Sequence, residues 1–403
     1  MPQGNGTPAF LPLRHAKSIL YGFKGSPDGE SPYGDLIFDQ KGALYGTTYD
    51  GGAYYFGSAF KLTPSSRGYT ESVLWSFGSN SYDGGKPYAG LTLGKEDALY
   101  GTTPFGGKRS WGTVFKLTPS VSGYAESILW NFDNGKGGGS PFGALIFDGK
   151  GALYGTTVGG GEYGQGTVFK LTPSHSGYTE TVVHSFCAKA NCKDGAYPVA
   201  GVVFGNDGAL YGTSFLGGSG DCVQNGQKAG CGTVFKLMPS GSAYRILYSF
   251  KNVPDGAYPS AGVTLDESGA LYGTTMSGGN AGRSSDDAGT VYKLTPSQSK
   301  YRETVLHNFT GGNDGGNVNA RVILGVNGVL FGTSYYGGRD NDGTVFKLTP
   351  PGYVERVFHS FRGGDHGQWL VSAVTLGSNG GLYGTTSAGG NCFNCGTVFE
   401  LQP

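Results

Sequence analysis

A five-residue motif occurs seven times along the chain, and it constrains the fold more than any other feature. It reads Leu-Tyr-Gly-Thr-Thr and returns in near-copies at intervals of 52 to 61 residues. The copies stand at residues 44–48, 99–103, 153–157, 210–214, 271–275, 330–334 and 382–386. A period of this length, sustained along a whole chain, indicates one supersecondary unit repeated around or along an axis.

Each repeat reads as four short strands separated by glycine turns. In the second repeat, apolar and β-branched runs cover residues 89–93, 98–103, 112–117 and 124–132. We name these strands A to D in chain order. Gly106 and Gly107 open the B–C loop, and Pro119 is expected to end strand C because proline lacks the N–H that a sheet ladder needs. Four short antiparallel strands per repeat predict one blade of a β-propeller.

The two ends of the chain are out of phase with the repeat. The sequence begins with a D-like strand at residues 17–23 and ends just after a C strand at residues 396–401. Pairing these strands would close a ring and cover both edges. We therefore predict an all-β, seven-bladed β-propeller forming a single domain over residues 1–403, closed by its N-terminal strand. The predicted blades cover residues 32–77, 87–132, 141–186, 198–250, 259–309, 318–361 and 370–401.

Charge and hydropathy exclude several classes of function. The chain has 29 basic and 29 acidic residues, so no long-range field favours nucleic acid or an anionic membrane. No stretch reaches the roughly 18 apolar residues that a membrane-spanning helix requires. Residues 1–4 are polar, so we expect no signal peptide in this sequence. We also expect the protein to be a monomer.

The six cysteines form three pairs that are close in sequence, each within one predicted loop. The pairs are Cys187 with Cys192, Cys222 with Cys231, and Cys392 with Cys395. This spacing favours disulfides and an oxidising compartment. Free thiols are one alternative, and a metal site at the last pair is another. Zinc would need about four ligands, more than one cysteine pair supplies.

The repeat unit resembles a known bacterial family. Residues 100–103, Tyr-Gly-Thr-Thr, are followed by a glycine pair, a variable loop and, at 112–119, Gly-Thr-Val-Phe-Lys-Leu-Thr-Pro. This pattern is similar to the GloVer (Gloeobacter/Verrucomicrobia) tandem repeat of bacterial exported proteins, and it covers essentially the whole chain. The resemblance implies a propeller that is extracellular, periplasmic or held at the bacterial cell surface. It implies no reaction.

Residues that break the sevenfold pattern are better candidates for a site than residues that all blades share. One position of the inner A segments holds glycine or alanine in five blades, which suits a crowded channel wall. Asp35 and Arg321 occupy it in blades 1 and 6. They are expected either to form an ion pair across the channel or to orient a polar ligand. Arginine clamps carboxylates, and aspartate accepts hydrogen bonds from hydroxyls.

Aromatic residues gather on part of the predicted ring. Tyr33, Tyr88 and Phe142 occupy one position of the A segments in blades 1 to 3, and Tyr335 with Tyr336 opens the B–C loop of blade 6. Aromatic faces beside polar groups suit sugar rings and other amphipathic ligands. Ordinary packing between blades is the alternative.

The D–A loops of five blades carry an aspartate followed by glycine. These aspartates are Asp28, Asp83, Asp194, Asp255 and Asp314. A ring of carboxylates could hold Ca²⁺ or sugar hydroxyls. The favoured interpretation is that each aspartate closes a turn by accepting backbone N–H groups. The loop before blade 7 carries Asp365 and His366 instead.

These observations predict an exported propeller that binds a glycan or another small amphipathic extracellular ligand. The binding face is the one with the D–A and B–C loops, here called the top face. The predicted ligand-binding residues are Tyr33, Asp35, Tyr88, Phe142, Arg321, Tyr335, Tyr336, Asp365 and His366. We expect no cofactor, with Ca²⁺ as the one alternative.

Two other functions stay open at this point. The first is an extracellular polysaccharide lyase or glycoside hydrolase that uses the same face. In such an enzyme, an arginine would neutralise a substrate carboxylate, a tyrosine or histidine would move a proton, and an acidic residue would assist. The candidate residues for these roles are Arg321, His366, Asp365, Asp35 and Tyr33. The second is a structural or protein-interaction module.

Overall fold

The computed structural model describes residues 17–66, 68–121, 123–279, 288–298 and 300–402. Its strands form seven four-stranded antiparallel sheets and two short two-stranded ribbons. In six sheets the strand order follows the chain, and in the seventh the outermost strand is the N-terminal one. The predicted seven-bladed β-propeller is therefore confirmed. None of the described helices has the length and apolarity to cross a membrane.

Strand boundaries repeat closely from blade to blade. The A strands are Ile37–Phe38, Thr92–Leu93, Ile146–Phe147, Val203–Phe204, Thr264–Leu265, Ile323–Leu324 and Thr375–Leu376. The B strands are Leu44–Thr48, Leu99–Thr103, Leu153–Thr157, Leu210–Ser214, Leu271–Thr275, Leu330–Ser334 and Leu382–Thr386. The C strands are Ser58–Ser65, Thr113–Ser120, Thr167–Ser174, Thr233–Leu237, Thr290–Pro296, Thr344–Thr349 and Thr397–Leu401. The expectation that Pro119 ends strand C was wrong, since this residue pairs with Tyr124 inside the strand. The D strands are Gly68–Ser76, Gly123–Asn131, Gly177–Ser185, Tyr244–Ser249, Tyr301–Asn308, Val354–Ser360 and, for blade 7, Lys17–Gly22.

Short elements occupy some of the turns. The two ribbons pair Gly84–Gly85 with Phe105–Gly106 and Val223–Gln224 with Gln227–Lys228. The 3₁₀ turns are Lys95–Asp97, Ala190–Cys192, Val326–Gly328 and Gly364–His366.

The innermost strands are shorter than the sequence predicts. In blade 2 the A strand covers Thr92–Leu93, not the whole of residues 89–93. The segment before it turns toward the neighbouring blade, where the carbonyl of Ala89 accepts a hydrogen bond from the Thr47 hydroxyl at 2.9 Å. Backbones meet closely there, since a Cβ on Gly34 would lie 2.6 Å from the amide nitrogen of Gly90. The inner segments therefore bond between blades rather than within one sheet.

The ring closes through the N-terminal strand. Strand Lys17–Gly22 pairs antiparallel with Thr397–Leu401, and Lys17 stands opposite Leu401. The N–H of Phe23 donates to the carbonyl of Gly396 at 3.1 Å. The first described strand thus supplies the outer edge of the last blade and covers backbone groups that would otherwise be open to pairing.

The two threonines of the motif explain how neighbouring blades hold together. In every blade the first threonine hydroxyl donates to a carbonyl in the A segment of the next blade. Thr102, for example, donates to Gly143 at 3.1 Å, and Thr385 of blade 7 donates to Pro32 of blade 1 at 3.2 Å. The second hydroxyl pairs with a hydroxyl on strand C, as in the 2.8 Å contact of Thr103 with Thr113. A repeated motif thus builds a ring of contacts between blades.

The motif glycine lies under an aromatic ring of strand C. A Cβ on Gly155 would lie 2.6 Å from Cζ of Phe169 and 2.9 Å from Cδ2 of Leu145. Both neighbours are buried in a core that fills the space between two blades. No side chain larger than hydrogen fits without moving this core.

We expect Gly155→Ala to lower the free energy of unfolding by about 1–3 kcal/mol, because the added methyl overpacks the core. Gly149→Ala, in the A–B turn of the same blade, is the control, since a Cβ there meets nothing within 4 Å. Chemical denaturation of both variants measures the difference. Equal stability of the two variants would contradict this account of the motif glycine.

Candidate functional site

Five aromatic rings form a continuous arc on the top face of blades 1 to 3. Tyr33 lies between Tyr49 and Tyr88, with centroid distances of 5.1 and 5.3 Å. Tyr88 meets Phe142 at 5.4 Å, and Phe142 meets Phe105 at 6.3 Å. The structure thus brings together the three A-segment aromatics predicted from the sequence. At the same A-segment position, blades 4 to 7 carry no aromatic residue.

The rings of the arc are partly buried but remain accessible. Tyr33, Tyr88 and Phe142 are half-buried, and Phe105 is exposed. Burial raises the pKa of Tyr88 to about 12, and burial also raises the pKa of Tyr33. These phenols therefore stay protonated at neutral pH and can donate as well as accept hydrogen bonds.

An ion pair that sequence reasoning missed borders the arc. Lys86 Nζ bonds to the carboxylate of Asp50, and the same ammonium lies 4.7 Å from the ring centroid of Tyr49. Lys86 directly precedes Pro87, at a position where blades 1 and 3 carry serine. This departure from the repeat is the sequence feature that could have identified Lys86 as a candidate residue. The positive charge of Lys86 is therefore balanced by Asp50 on the top face.

Asp35 and Arg321 form the ion pair that their exceptional positions suggested. Arg321 Nε lies 3.0 Å from Asp35 Oδ2, and Asp35 Oδ1 accepts the N–H of Ala373 at 2.8 Å. Both side chains remain partly exposed, 42% for the arginine and 29% for the aspartate. The aspartate therefore joins blades 6, 7 and 1 at the inner wall. Whether the pair also meets a ligand stays a prediction.

The blade 6 aromatics make their ring contacts outside the arc, although the Tyr335 phenol also interacts electrostatically with Tyr33 and Tyr88. Tyr335 stacks on Trp369 at 6.0 Å, and Trp369 meets the exposed ring of Phe393 edge-on at 5.8 Å. The ring of Tyr336 covers Gly316, where a Cβ would lie 2.7 Å from its Cε2. The top face thus has a second aromatic group on blades 6 and 7.

Asp365 and His366 lie at the outer edge of blade 7, away from the inner wall. Both are exposed in a 3₁₀ turn, and the carbonyl of His366 accepts a hydrogen bond from Lys17 Nζ on the outermost strand at 2.5 Å. Asp35 and Arg321 precede the innermost strands. The innermost and outermost strands of a four-stranded blade are three strand spacings apart, which is roughly 14 Å. The acid–base candidates for an enzyme are therefore split between two places.

The aspartates of the D–A loops bond mainly within their own loops. Asp83 Oδ2 accepts from the N–H and hydroxyl of Ser79, both at 2.9 Å. Asp194 accepts the N–H groups of Ala188 and Lys189 at 2.9 Å. Asp28, Asp255 and Asp314 likewise accept a backbone N–H four residues earlier. Within the described ranges, no three His, Cys, Asp or Glu side chains form a cluster suited to a metal ion.

In five of the seven blades, a glutamate on the outer D strand lies against the D–A loop that enters the blade. Each lies opposite the leucine of strand C, and each has one buried carboxyl oxygen without a hydrogen-bond partner in the described part of the chain. They are Glu71, Glu126, Glu180, Glu303 and Glu355. Burial, reinforced by Asp83, raises the pKa of Glu126 to about 8. Burial raises the pKa of Glu71, Glu180 and Glu303 to about 7.

The other two blades place hydrogen-bond donors at the same position. In blade 4, the hydroxyl of Tyr244 donates to the backbone carbonyl of Asp194. In blade 7, Lys17 donates to the carbonyl of His366 at 2.5 Å. A glutamate side chain can donate a hydrogen bond only as the neutral acid. The raised pKa values of the glutamates therefore fit the observation that Tyr244 and Lys17 act as donors at this position.

All three predicted disulfides are present. They join Cys187 to Cys192, Cys222 to Cys231, and Cys392 to Cys395. Each closes a loop on the top face, and Cys395 lies at the seam, where its carbonyl accepts the N–H of Ser31 at 3.1 Å. Such bonds are typical of proteins from oxidising compartments.

Comparison with known proteins agrees with the repeat and the fold. The family model described as the Gloeobacter/Verrucomicrobia repeat matches residues 2–224 and 221–403. No curated protein matches the chain.

Solved structures that resemble the chain do so at low identity. One, assigned as a 6-phosphogluconolactonase of Bacteroides uniformis, is 15% identical with a TM-score of 0.49, over 86% of this chain and 88% of that one. A glucose dehydrogenase is 13% identical with a TM-score of 0.47, over 96% and 99%. TolB of Acinetobacter baumannii is 13% identical with a TM-score of 0.41, over 74% and 58%. At these values they carry no information about the ligand of this chain.

Proposed function

The chain belongs to the Gloeobacter/Verrucomicrobia repeat family, and from that premise we propose that it is an exported propeller whose top face binds a glycan. The aromatic arc carries the proposal. Seven equivalent blades have the same packing requirements, yet only blades 1 to 3 place an aromatic residue at the A-segment position from which the arc is built. Half-buried rings beside hydroxyl donors match the apolar faces and the hydroxyl groups of sugar rings.

The electrostatics of the face favour a neutral glycan over an acidic one. Its two inner cations, Lys86 and Arg321, are each paired with a carboxylate, Asp50 and Asp35. A uronate would have to compete with these carboxylates for the same cations. A neutral sugar can instead use the paired groups as hydrogen-bond donors and acceptors.

The placement of the acid–base candidates favours binding over catalysis. A lyase or hydrolase needs its proton-transfer groups within hydrogen-bond reach of one substrate atom. Arg321 and Asp35 lie at the inner wall, whereas His366 and Asp365 lie beside the outermost strand.

The test is binding to an immobilised panel of neutral and acidic polysaccharides. We expect the wild type to bind a neutral glycan, and Tyr88→Ala to bind it at least about tenfold more weakly, as for other central aromatic contacts. Val326→Ala is the control, because this exposed residue lies in an A–B turn at the opposite end of blade 6.

Three results would contradict the proposal. New reducing ends or unsaturated products would make the protein an enzyme. Binding confined to acidic polymers would exclude the neutral glycan. Absence of any binding by the wild type would favour a structural or protein-interaction module.

A further inference from the structure

One backbone position is left-handed in all seven blades, and no blade places glycine there. It is the residue at which each D–A loop enters the A segment, and its φ lies between 53° and 61°. We call the seven the crown residues: Ser31, Lys86, Ser140, Tyr197, Tyr258, Asn317 and Trp369. Positive φ is uncommon for any residue with a Cβ, and it is strained for bulky ones.

The same backbone hydrogen bonds impose this conformation in every blade. Each crown N–H donates to the carbonyl just before strand C of the preceding blade, as Tyr197 does to Gln165 at 3.0 Å and Trp369 to Asp342 at 2.9 Å. In six blades the crown carbonyl also accepts an N–H from its own B–C loop, as Tyr197 does from Phe215 at 3.0 Å. The conformation therefore does not depend on the side chain.

The absence of glycine at the crown is informative in this sequence. The chain contains 77 glycines. It uses them at other recurrent left-handed positions, such as Gly57, Gly112 and Gly166 just before strand C. Glycine at a crown position would relieve the backbone strain. Seven side chains kept at a position that favours glycine therefore indicate a role beyond folding.

The crown side chains differ in chemistry from blade to blade. Ser31 is buried, and its hydroxyl bonds to the carbonyl of Asn394 at 3.1 Å, so it belongs to the seam. The other six are partly exposed. Tyr258 stacks on Phe215 at 5.2 Å, Trp369 stacks on Tyr335, and Tyr197 is 37% exposed. One rigid backbone ring thus presents an ammonium, a hydroxyl, two phenols, an amide and an indole.

We propose that the six partly exposed crown residues determine which glycan the top face accepts, and that the ligand is an oligosaccharide chain. This rests on the proposed function. The three aromatic members, Tyr197, Tyr258 and Trp369, belong to blades 4, 5 and 7, so successive sugar rings, rather than one ring, would meet them. Hydroxyl, amide and ammonium groups between them would pair with sugar hydroxyls.

The test replaces Tyr197 with glycine, because this side chain is the most exposed aromatic of the crown. We expect Tyr197→Gly to melt at the same or a higher temperature than the wild type, since glycine tolerates its φ of 54°. We also expect binding of neutral gluco-, manno- and xylo-oligosaccharides of increasing length to weaken by at least about tenfold.

Tyr82→Gly is the matched control. Tyr82 is an exposed tyrosine in another D–A loop, outside the crown. It should leave affinity unchanged. Tyr197→Asn, which also tolerates positive φ, provides a second variant that should keep the fold and lose affinity.

The outcomes separate this inference from the proposed function. A wild type that binds no glycan overturns both. A wild type that binds, together with a Tyr197→Gly variant of unchanged affinity, overturns the crown inference alone. A Tyr197→Gly variant that melts at a clearly lower temperature assigns the side chain to folding and also overturns it.

Discussion

A chain that begins at Lys24 is expected to lose the single cooperative unfolding transition of the closed ring. Truncation removes the partner of strand Thr397–Leu401 and exposes the backbone edge of the last blade. It also removes Phe23, whose fully buried ring meets Phe60 of blade 1 at 5.0 Å. We expect the truncated chain to unfold at a much lower temperature and to associate through its open edge. Calorimetry and light scattering measure both effects.

Two point variants test how much the packing at the seam contributes to stability. Phe23→Ala should cost about 3–5 kcal/mol, because it leaves a cavity at the seam. Ile19→Ala is the control on the same strand, since Ile19 is 38% exposed and should change stability little. A peptide of residues 17–23, added in trans, should raise the melting temperature of the truncated chain. An unchanged transition in the truncated chain would show that the seam does not hold the ring.

Stability is expected to fall as pH rises from 5 to 8. In the folded state four of the five outer-strand glutamates keep their protons to about pH 7 or 8, whereas the unfolded chain releases them near pH 4.3. The pKa of the fifth, Glu355, is raised as well. The folded state therefore binds more protons in this window, and the free energy of unfolding decreases with pH. We expect the melting temperature to drop by about 5 °C or more. Differential scanning calorimetry across this pH range measures the effect.

Other charged groups face these glutamates or titrate in the same range. Glu126 faces Asp83, Glu71 faces Asp28 and Lys24, Glu180 faces Asp133, Glu303 faces Asp255, and Glu355 faces His307 and Asp314. Burial lowers the pKa of His184 to about 4 and that of Lys17 to about 7. Those two groups add stability as pH rises, His184 between about pH 4 and 6.5 and Lys17 above about pH 7. Five glutamates outnumber them, so the net slope is downward.

Glu126→Gln isolates one member of the set. Its amide can donate at any pH, so the variant should gain stability over the wild type at pH 8 and much less at pH 5. Glu267→Gln, at an exposed position in an A–B turn, is the control and should have no such pH dependence. A melting temperature that is flat or rises from pH 5 to 8 in the wild type would exclude neutral glutamates between the blades.

The architecture could be predicted from sequence because one motif encodes both a strand and its contacts. The recurring glycine and threonines mark the B strands, and the strands at the two ends predict the closure. The A strands were predicted too long, because the carbonyl of Ala89 bonds to Thr47 of another blade rather than to its own sheet. Hydrogen bonds between blades cannot be recognised from the residue pattern by which strands are predicted.

The candidate site was less predictable, for identifiable reasons. Asp35 and Arg321 stood out because they break a column of small residues, and the structure pairs them. In the blade 7 loop, His366 rather than Asp365 takes the aspartate position, since Gly367, like Gly29, sits against the paired hydroxyls of strands B and C. The left-handed backbone of the crown residues could not be predicted from the sequence, because tyrosine, lysine or tryptophan in a loop does not indicate a positive φ.

The threonine contacts give the ring a direction. Each blade donates to its successor, and blade 7 donates to blade 1 through Thr385 and Pro32. No blade is first or last in this circuit, and Lys17 already stands opposite Leu401. Circular permutation should therefore preserve the propeller. If these residues are joined by a short linker and the chain is reopened in a C–D turn of another blade, every donor still has its acceptor, and only the site of closure moves.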